Sequence, residues 1–145
     1  SPKQKGEFGE RFVTKYLQSA GHTVKRAKTS TAGHDRVVND ILTEIKFSLA
    51  TRNKKGGVKQ DSFIINHVSR DKDWERLIFF GINKKESDAR LVWFTKEDFK
   101  AHLESDDCLF AHQQGGKSIE NDDYICTKVS ELLKQKWVHS VQYMC

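Results

Sequence analysis

Two carboxylates and one ammonium group, those of Asp35, Glu44 and Lys46, stand in a segment with the spacing of two short strands. Carboxylates held close together in a folded protein repel each other and favour a cation between them. Ligand sets made only of oxygen favour Mg²⁺ or Mn²⁺ over zinc. A metal ion beside a lysine is suited to phosphodiester cleavage. These residues therefore predict a metal site, with Mg²⁺ as the expected cofactor and Mn²⁺ as the alternative.

A tight β-hairpin would place the three side chains on one face. The dipeptide Asn39-Asp40 tolerates the positive φ angles of a two-residue turn, and pairs of strand-favouring aliphatic residues flank it. Asp35 then lies opposite Glu44, with Cβ atoms roughly 5 Å apart. Lys46 points to the same face because strand side chains alternate. Asp40 is rejected as the first acid because it would lie roughly 13 Å from Glu44 along one strand. The plain alternative is a solvated cross-strand charge cluster.

At these residues the chain resembles the PD-(D/E)XK nuclease superfamily, which contains many type II restriction endonucleases and Holliday junction resolvases. In that superfamily an amphipathic helix precedes a hairpin that carries an aspartate and a Glu-x-Lys motif, and further strands follow. The matching residues are Asp35, Glu44 and Lys46, and the resemblance covers most of the chain, roughly residues 5 to 100. His34 stands where the superfamily has its name-giving proline.

The resemblance implies metal-assisted phosphodiester hydrolysis that leaves a 5′-phosphate and a 3′-hydroxyl. Asp35 and Glu44 would bind the metal together with the backbone carbonyl of Ile45. Lys46 would orient or help to deprotonate the attacking water. Glu10 matches the glutamate that reaches toward the metal from the first helix in resolvases and related nucleases. An exposed acid on the polar face of a helix is the alternative for Glu10.

Helical spacing in the N-terminal segment predicts an amphipathic helix that ends near Gly21, a residue suited to a left-handed helix terminus. The expected apolar stripe comprises Phe8, Phe12, Val13, Tyr16, Leu17 and Ala20. Later segments predict strands at Phe63–Val68, Leu77–Ile82 and Arg90–Phe94, and a helix that begins after Thr95. Residues around Leu132 and Trp137 have helical spacing. The expected fold is a single α/β domain over 1–145, with a restriction-endonuclease-like core in which helices flank a central mixed sheet.

A polar, glycine-bearing segment follows the hairpin and is expected to be a loop that contacts DNA phosphates. Its candidate DNA-binding residues are Arg52, Lys54, Lys55, Lys59 and Gln60. An ordinary surface loop is the alternative. His67 is a candidate for contact with substrate, although a structural histidine is the plainer interpretation. The segment from Ser105 to Asp123 is expected to be loop-like, with a composition that base-reading loops share.

Composition agrees with a nucleic-acid partner but does not specify it. The chain has 145 residues and a net charge of +5, from 25 Lys and Arg against 20 Asp and Glu. Three cysteines do not make a disulfide framework, and no apolar segment resembles a signal peptide or membrane span, so a cytoplasmic location without a membrane partner is expected. A zinc site at Cys108, His112 and Cys126, with His102 nearby, is disfavoured because the spacing matches no strong zinc pattern.

The expected function is therefore a small restriction-type endonuclease that cuts double-stranded DNA as a homodimer, because one active site cuts one strand. Three alternatives stay open. The first is a Holliday junction resolvase or repair nuclease. The second is the nuclease domain of a larger bacterial toxin, neutralised by an immunity protein. The third is a DNA-binding module without catalytic activity.

Overall fold

Strands that form two sheets follow an N-terminal helix. The structure is a computed structural model that describes residues 2–29, 32–55, 58–105, 110–112 and 122–145; for 2, 51–55, 58–62, 64, 66, 67, 110–112 and 122–130 it describes the backbone alone. The helices are α1 (Pro2–Ser19), α2 (Lys96–Leu103), α3 (Val129–Lys134) and a 3₁₀ helix (Val141–Tyr143). The strands are β1 (Val24–Arg26), β2 (Arg36–Val38), β3 (Ile41–Leu49), β4 (Thr51–Lys55), β5 (Val58–Ser69), β6 (Arg76–Asn83), β7 (Asp88–Thr95), β8 (Phe110–His112), β9 (Asp122–Lys128) and β10 (His139–Ser140).

The larger sheet has six strands in the order β1-β2-β3-β6-β7-β10. Strands β3 and β6 are parallel, and the other neighbouring pairs are antiparallel. The fold is therefore α/β with a mixed sheet. The predicted buried strand at Leu77–Ile82 lies inside β6, and all but one of the residues of β6 are buried. The prediction of a strand buried on both faces is confirmed.

The strand predicted at Phe63–Val68 exists, but it does not join the central sheet. It belongs to β5, which lies in a separate four-stranded sheet with the order β4-β5-β9-β8. The expectation of one central sheet was wrong in this respect. The physical reason is face packing: Phe63, Ile65 and Val68 are buried in one cluster with Phe79 of β6, so β5 covers the six-stranded sheet instead of extending its edge.

Two apolar cores lie on opposite faces of the six-stranded sheet. On one face, Val13 and Leu17 of α1 pack with Ile45, Ile78 and Phe80. The other face carries the larger cluster beneath the four-stranded sheet, with contributions from α2 and α3. Alternation along β6 explains the division, because successive side chains of a strand point to opposite faces.

The predicted apolar stripe of α1 is only partly buried. Val13 and Leu17 are fully buried, but Phe8, Phe12 and Tyr16 are 41–50% exposed, and Ala20 is exposed as well. The aromatic residues lie on the flank of the contact, where Phe12 stacks on Phe80 with ring centroids 4.4 Å apart. The helix ends as predicted. Gly21 has φ +92°, and the N–H groups of Gly21 and His22 donate to the carbonyls of Gln18 and Leu17.

The segment predicted as a basic loop forms strands instead. Arg52, Lys54 and Lys55 lie in β4, while Lys59 and Gln60 lie in β5, and the two strands pair antiparallel. Residues in the segment predicted as loop-like between Ser105 and Asp123 also form parts of β8 and β9. Both expectations failed because strand pairing overrode local polarity: β4 pairs with β5, β8 pairs with β9, and β5 and β9 join the two pairs into one sheet.

Helix α2 agrees with expectation, and α3 agrees in part, because it ends at Lys134, before Trp137. Thr95 caps α2 by accepting a hydrogen bond from the N–H of Asp98, and α2 ends at Leu103. Leu132 of α3 is buried in the larger core, whereas Trp137 follows the end of that helix. Among the described residues, no helix is both long enough and apolar enough to cross a membrane.

Candidate active site

The β2–β3 hairpin has the predicted register from Arg36–Thr43 to the turn, and the Asp35 and Glu44 side chains meet just beyond this ladder. Asn39 and Asp40 form the turn with φ angles of 49° and 66°, and Arg36 pairs with Thr43 at the far end of the ladder. The Asp35 N–H extends the ladder by donating to the carbonyl of Thr43 at 3.0 Å. The carboxyl groups of Asp35 and Glu44 hydrogen bond to each other. A local turn preference therefore decides which acid meets Glu44.

The backbone of β3 holds the Asp35 side chain in a defined orientation. Its Oδ2 atom accepts a hydrogen bond from the Ile45 N–H at 2.8 Å. That donor is available because the β2–β3 ladder stops at Thr43, so no strand residue competes for it. Ile45 is itself buried in the core beside α1, which anchors the donor. One carboxylate oxygen is thereby tied to the sheet while the group remains in contact with Glu44.

Burial and a neighbouring carboxyl group change the acidity of Glu44. Burial raises the pKa of Glu44 to about 9, and the hydrogen bond and negative charge of Asp35 act in the same direction. The positive charges of Lys46 and Lys72 lower the pKa and offset only part of this rise. Lys46 shares a face with Glu44, since the two residues pair with Phe79 and Leu77 of β6 respectively.

Glu10 reaches this cluster from α1. Its carboxyl group hydrogen bonds to that of Asp35, and Arg36 Nη2 lies 3.5 Å from Glu10 Oε2. Burial and the charge of Asp35 raise the pKa of Glu10, and Arg36 opposes that shift. Gly9 makes the approach possible, because a Cβ there would lie 2.4 Å from the Cβ of Phe47. The structure thus unites all four predicted side chains, Glu10, Asp35, Glu44 and Lys46.

The β5–β6 connection adds residues that sequence reasoning missed. Lys72 is exposed and acts electrostatically on Glu44. His34 Nδ1 lies 2.9 Å from Asp73 Oδ1, and the His34 side chain is 8% exposed. Gly33 packs against the backbone of Asp73, where a Cβ would be 2.8 Å from the nitrogen atom. No local signal marks these contacts because they join residues far apart in the sequence.

Other predicted residues do not lie in the described part of the site. The structure gives only the backbone of Arg52, Lys54, Lys55, Lys59 and Gln60, so their predicted DNA contacts fall outside the described side chains. The same holds for His67, which lies in β5 of the second sheet.

The disfavoured zinc interpretation also falls mainly outside the described side chains. Cys108 lies among the undescribed residues, and only the backbone of His112 and Cys126 is described. His102, expected on the surface, is buried beside Trp137 with ring centroids 4.8 Å apart.

The acidic cluster holds its carboxyl groups in contact with one another. Among the side chains that the structure describes, no group of three or more His, Cys, Asp and Glu has an arrangement ready to hold a metal ion. No model of a known protein family matches the chain, and no curated protein matches it either.

Proposed function

We propose that the protein is a divalent-metal-dependent endodeoxyribonuclease with the PD-(D/E)XK arrangement on a restriction-endonuclease-like core. The observation that carries the proposal is the hydrogen-bonded pair of Asp35 and Glu44 at the end of the β2–β3 ladder, with Lys46 beside it. Structural charge clusters ordinarily pair acids with bases, whereas here two acids contact each other and a third joins them. Such an arrangement lowers the stability of the fold where the carboxyl groups are ionised. A cost of this kind is typical of functional sites.

The donor set fits a hard divalent cation. All the contributing groups are oxygen donors, and a cation between Asp35 and Glu44 would take the place of the proton that now allows their contact. Ile45 is a third candidate ligand through its carbonyl, which lies on the same side of β3 as the N–H that donates to Asp35. We expect Mg²⁺, with Mn²⁺ as a substitute. Binding requires the hydrogen bonds between the carboxyl groups to open.

The proposed roles follow from position. A bound metal would polarise a phosphate oxygen and lower the pKa of water. Asp35 and Glu44 hold the ion, and the Ile45 N–H keeps Asp35 oriented toward it. Lys46 positions the attacking water and offsets negative charge at the phosphate. Glu10 orients Asp35 through the hydrogen bond between their carboxyl groups, and an ion pair with Arg36 holds Glu10 in place.

Double-stranded DNA is the proposed substrate. The net charge of +5 favours a polyanion, and the hairpin of β4 and β5 carries five candidate contact residues directly after the Glu-x-Lys strand. A homodimer is part of the proposal because a single site hydrolyses one strand. The molar mass in solution, measured with and without duplex DNA, tests the proposed homodimer. A monomer in both conditions would contradict it.

Cleavage of supercoiled plasmid in Mg²⁺ tests the reaction. Glu44→Gln and Lys46→Ala should each reduce the rate by at least ~10²-fold, since both groups act at the reacting phosphate. Glu86→Gln and Lys84→Ala, at exposed positions in the β6–β7 turn, provide matched controls and should retain activity. Unchanged cleavage by Glu44→Gln would show that these residues do not form the active site.

Digestion of a long linear DNA distinguishes the substrate classes. Discrete fragments would support the restriction-type function. A smear would favour the toxin nuclease domain, and cutting confined to four-way junctions would favour a resolvase. Tight DNA binding without any metal-dependent cutting would leave the non-catalytic module as the function.

A further inference from the structure

A second charged feature lies on the far side of Arg36 from the acidic cluster. It is a groove of about 360 Å³ between α1 and the β1–β2 edge of the six-stranded sheet. Five cationic residues and one threonine contribute to its lining: Arg11, Thr14, Lys15, Lys25, Arg26 and Arg36. The three residues from α1 share one face of the helix because they lie three and four positions apart. The remaining lining residues are Gln18 and Val24.

The positive charge of this groove is not balanced by its own lining. None of its lining residues is acidic, and all of its cationic residues except Arg36 are exposed. Arg26 lies directly opposite Arg36 in the β1–β2 ladder. Like charges at directly opposed positions of an antiparallel pair destabilise it. Glu10 lies 3.5 Å from Arg36 and offsets its charge. The charge of Arg26 has no acidic residue to offset it in the lining of the groove.

A buried hydroxyl group adds an independent observation. Among the described residues, Thr14 Oγ1 is buried and has no hydrogen-bond partner. A buried polar atom ordinarily has a hydrogen-bond partner, because burying it without one is energetically unfavourable. Thr14 lines the groove with Arg11 and Lys15, and a rotation about its χ1 angle would turn the hydroxyl, which is buried in this structure, toward an anion held by these cations.

We propose that this groove binds backbone phosphates of the DNA segment next to the scissile phosphate. The proposal rests on the proposed function and names a substrate-binding surface separate from the β4–β5 hairpin. Arg36 links the two features, since its Nη1 atom donates to the carbonyl of Asp35 while its side chain lines the groove. DNA that enters the acidic site from this side therefore passes along the cationic lining. Contacts of this kind position the duplex without reading its sequence.

Binding without cleavage tests the proposal. The protein is the full chain with Glu44→Gln, in EDTA, and the probe is a fluorescein-labelled DNA duplex followed by anisotropy at several salt concentrations. Adding Lys15→Gln and Arg26→Gln should weaken binding roughly 10-fold and reduce the salt slope by about 1 to 2. The matched control, Lys84→Gln with Lys136→Gln, removes the same charge at exposed positions outside the groove. An equal loss in both double variants, or no measurable binding by the parent protein, would overturn the proposal.

Two further arms make the test specific. Thr14→Val keeps the shape and charge of the site and should weaken DNA binding several-fold without a change in the salt slope. An unchanged affinity would contradict a contact between the Thr14 hydroxyl and a phosphate. Inorganic phosphate at matched ionic strength should not displace the duplex, and complete displacement would assign the groove to a small anion and contradict DNA binding there. Plasmid cleavage by the unaltered chain, measured in parallel, decides the proposed nuclease activity separately from the groove.

Discussion

The carboxyl groups of Asp35 and Glu44 hydrogen bond to each other across the β2–β3 hairpin. This contact needs a proton, since two ionised carboxylates cannot donate to one another. The hydrogen bond and the charge of Asp35 add to the effect of burial, and together they raise the pKa of Glu44 to about 9. In the folded protein the protonated form of Glu44 is therefore favoured over the ionised form up to about pH 9.

The stability of the metal-free protein should fall as the pH rises. In the folded state Glu44 has a pKa of about 9, whereas in the unfolded chain it has the ordinary glutamate pKa of 4.5, so the folded state holds more protons throughout this window. The stabilisation is complete below pH 4.5 and is lost as the pH rises through 9. Between pH 4.5 and 7 the loss is on the order of 3 kcal/mol.

The variant Glu44→Gln should abolish most of that dependence. In EDTA its free energy of unfolding in urea should exceed that of the unaltered chain at pH 8, with the two converging toward pH 5. Glu86→Gln, at an exposed turn position, serves as the control and should follow the unaltered chain. Parallel pH profiles for Glu44→Gln and the unaltered chain would contradict the assigned cause.

Mg²⁺ should stabilise the protein more at pH 8 than at pH 6. The ion competes with the proton that Asp35 and Glu44 share, and Mg²⁺ binds more weakly at the lower pH because the site is protonated more fully there. The measurement is Tm with MgCl₂ against NaCl at equal ionic strength. Asp35→Asn should remove the difference. An equal Mg²⁺ effect in that variant would place the binding of the ion elsewhere.

Gly9→Ala should destabilise the fold and weaken the acidic cluster together. A Cβ at Gly9 would lie 2.4 Å from the Cβ of Phe47, so α1 would have to move away from β3 and carry Glu10 with it. We expect a loss of about 1–3 kcal/mol in the free energy of unfolding. Gly6→Ala lies in the same helix with no atom within 4 Å and should stabilise by about 0.5–1 kcal/mol. Equal effects of the two substitutions would refute the close approach of α1 to β3.

The hairpin turn should respond in opposite directions to two substitutions. Asp40 has φ 66°, a conformation that glycine adopts freely, so Asp40→Gly should stabilise by a few tenths to about 1 kcal/mol. Asn39→Val should destabilise by about 2 kcal/mol, because a β-branched residue is strained at φ 49° and the hydrogen bond from the Thr23 N–H to Asn39 Oδ1 is lost. Urea denaturation measures both. A destabilising Asp40→Gly would mean that the turn has another form.

The features that depend on residues close together in the sequence could be predicted from local conformational preferences. The preference of Asn39-Asp40 for positive φ predicted the register that pairs Arg36 with Thr43 and leaves Asp35 next to Glu44 beyond the ladder. Strand alternation predicted that Lys46 shares the face of Glu44. Side-chain capping by Thr95 and the left-handed Gly21 marked helix ends correctly. Each of these depends on torsion angles and hydrogen bonds within a few residues.

Tertiary packing decided the rest. The sequence by itself determined the hairpin, its register and the acids that it presents, because turn conformation and strand periodicity are local. It could not determine that β5 covers the sheet face or that Phe12 and Tyr16 stay partly exposed, because burial depends on which distant surfaces meet. The contact of Glu10 with Asp35, the pairing of His34 with Asp73 and the cationic groove beside Arg36 likewise arise only when remote segments pack together.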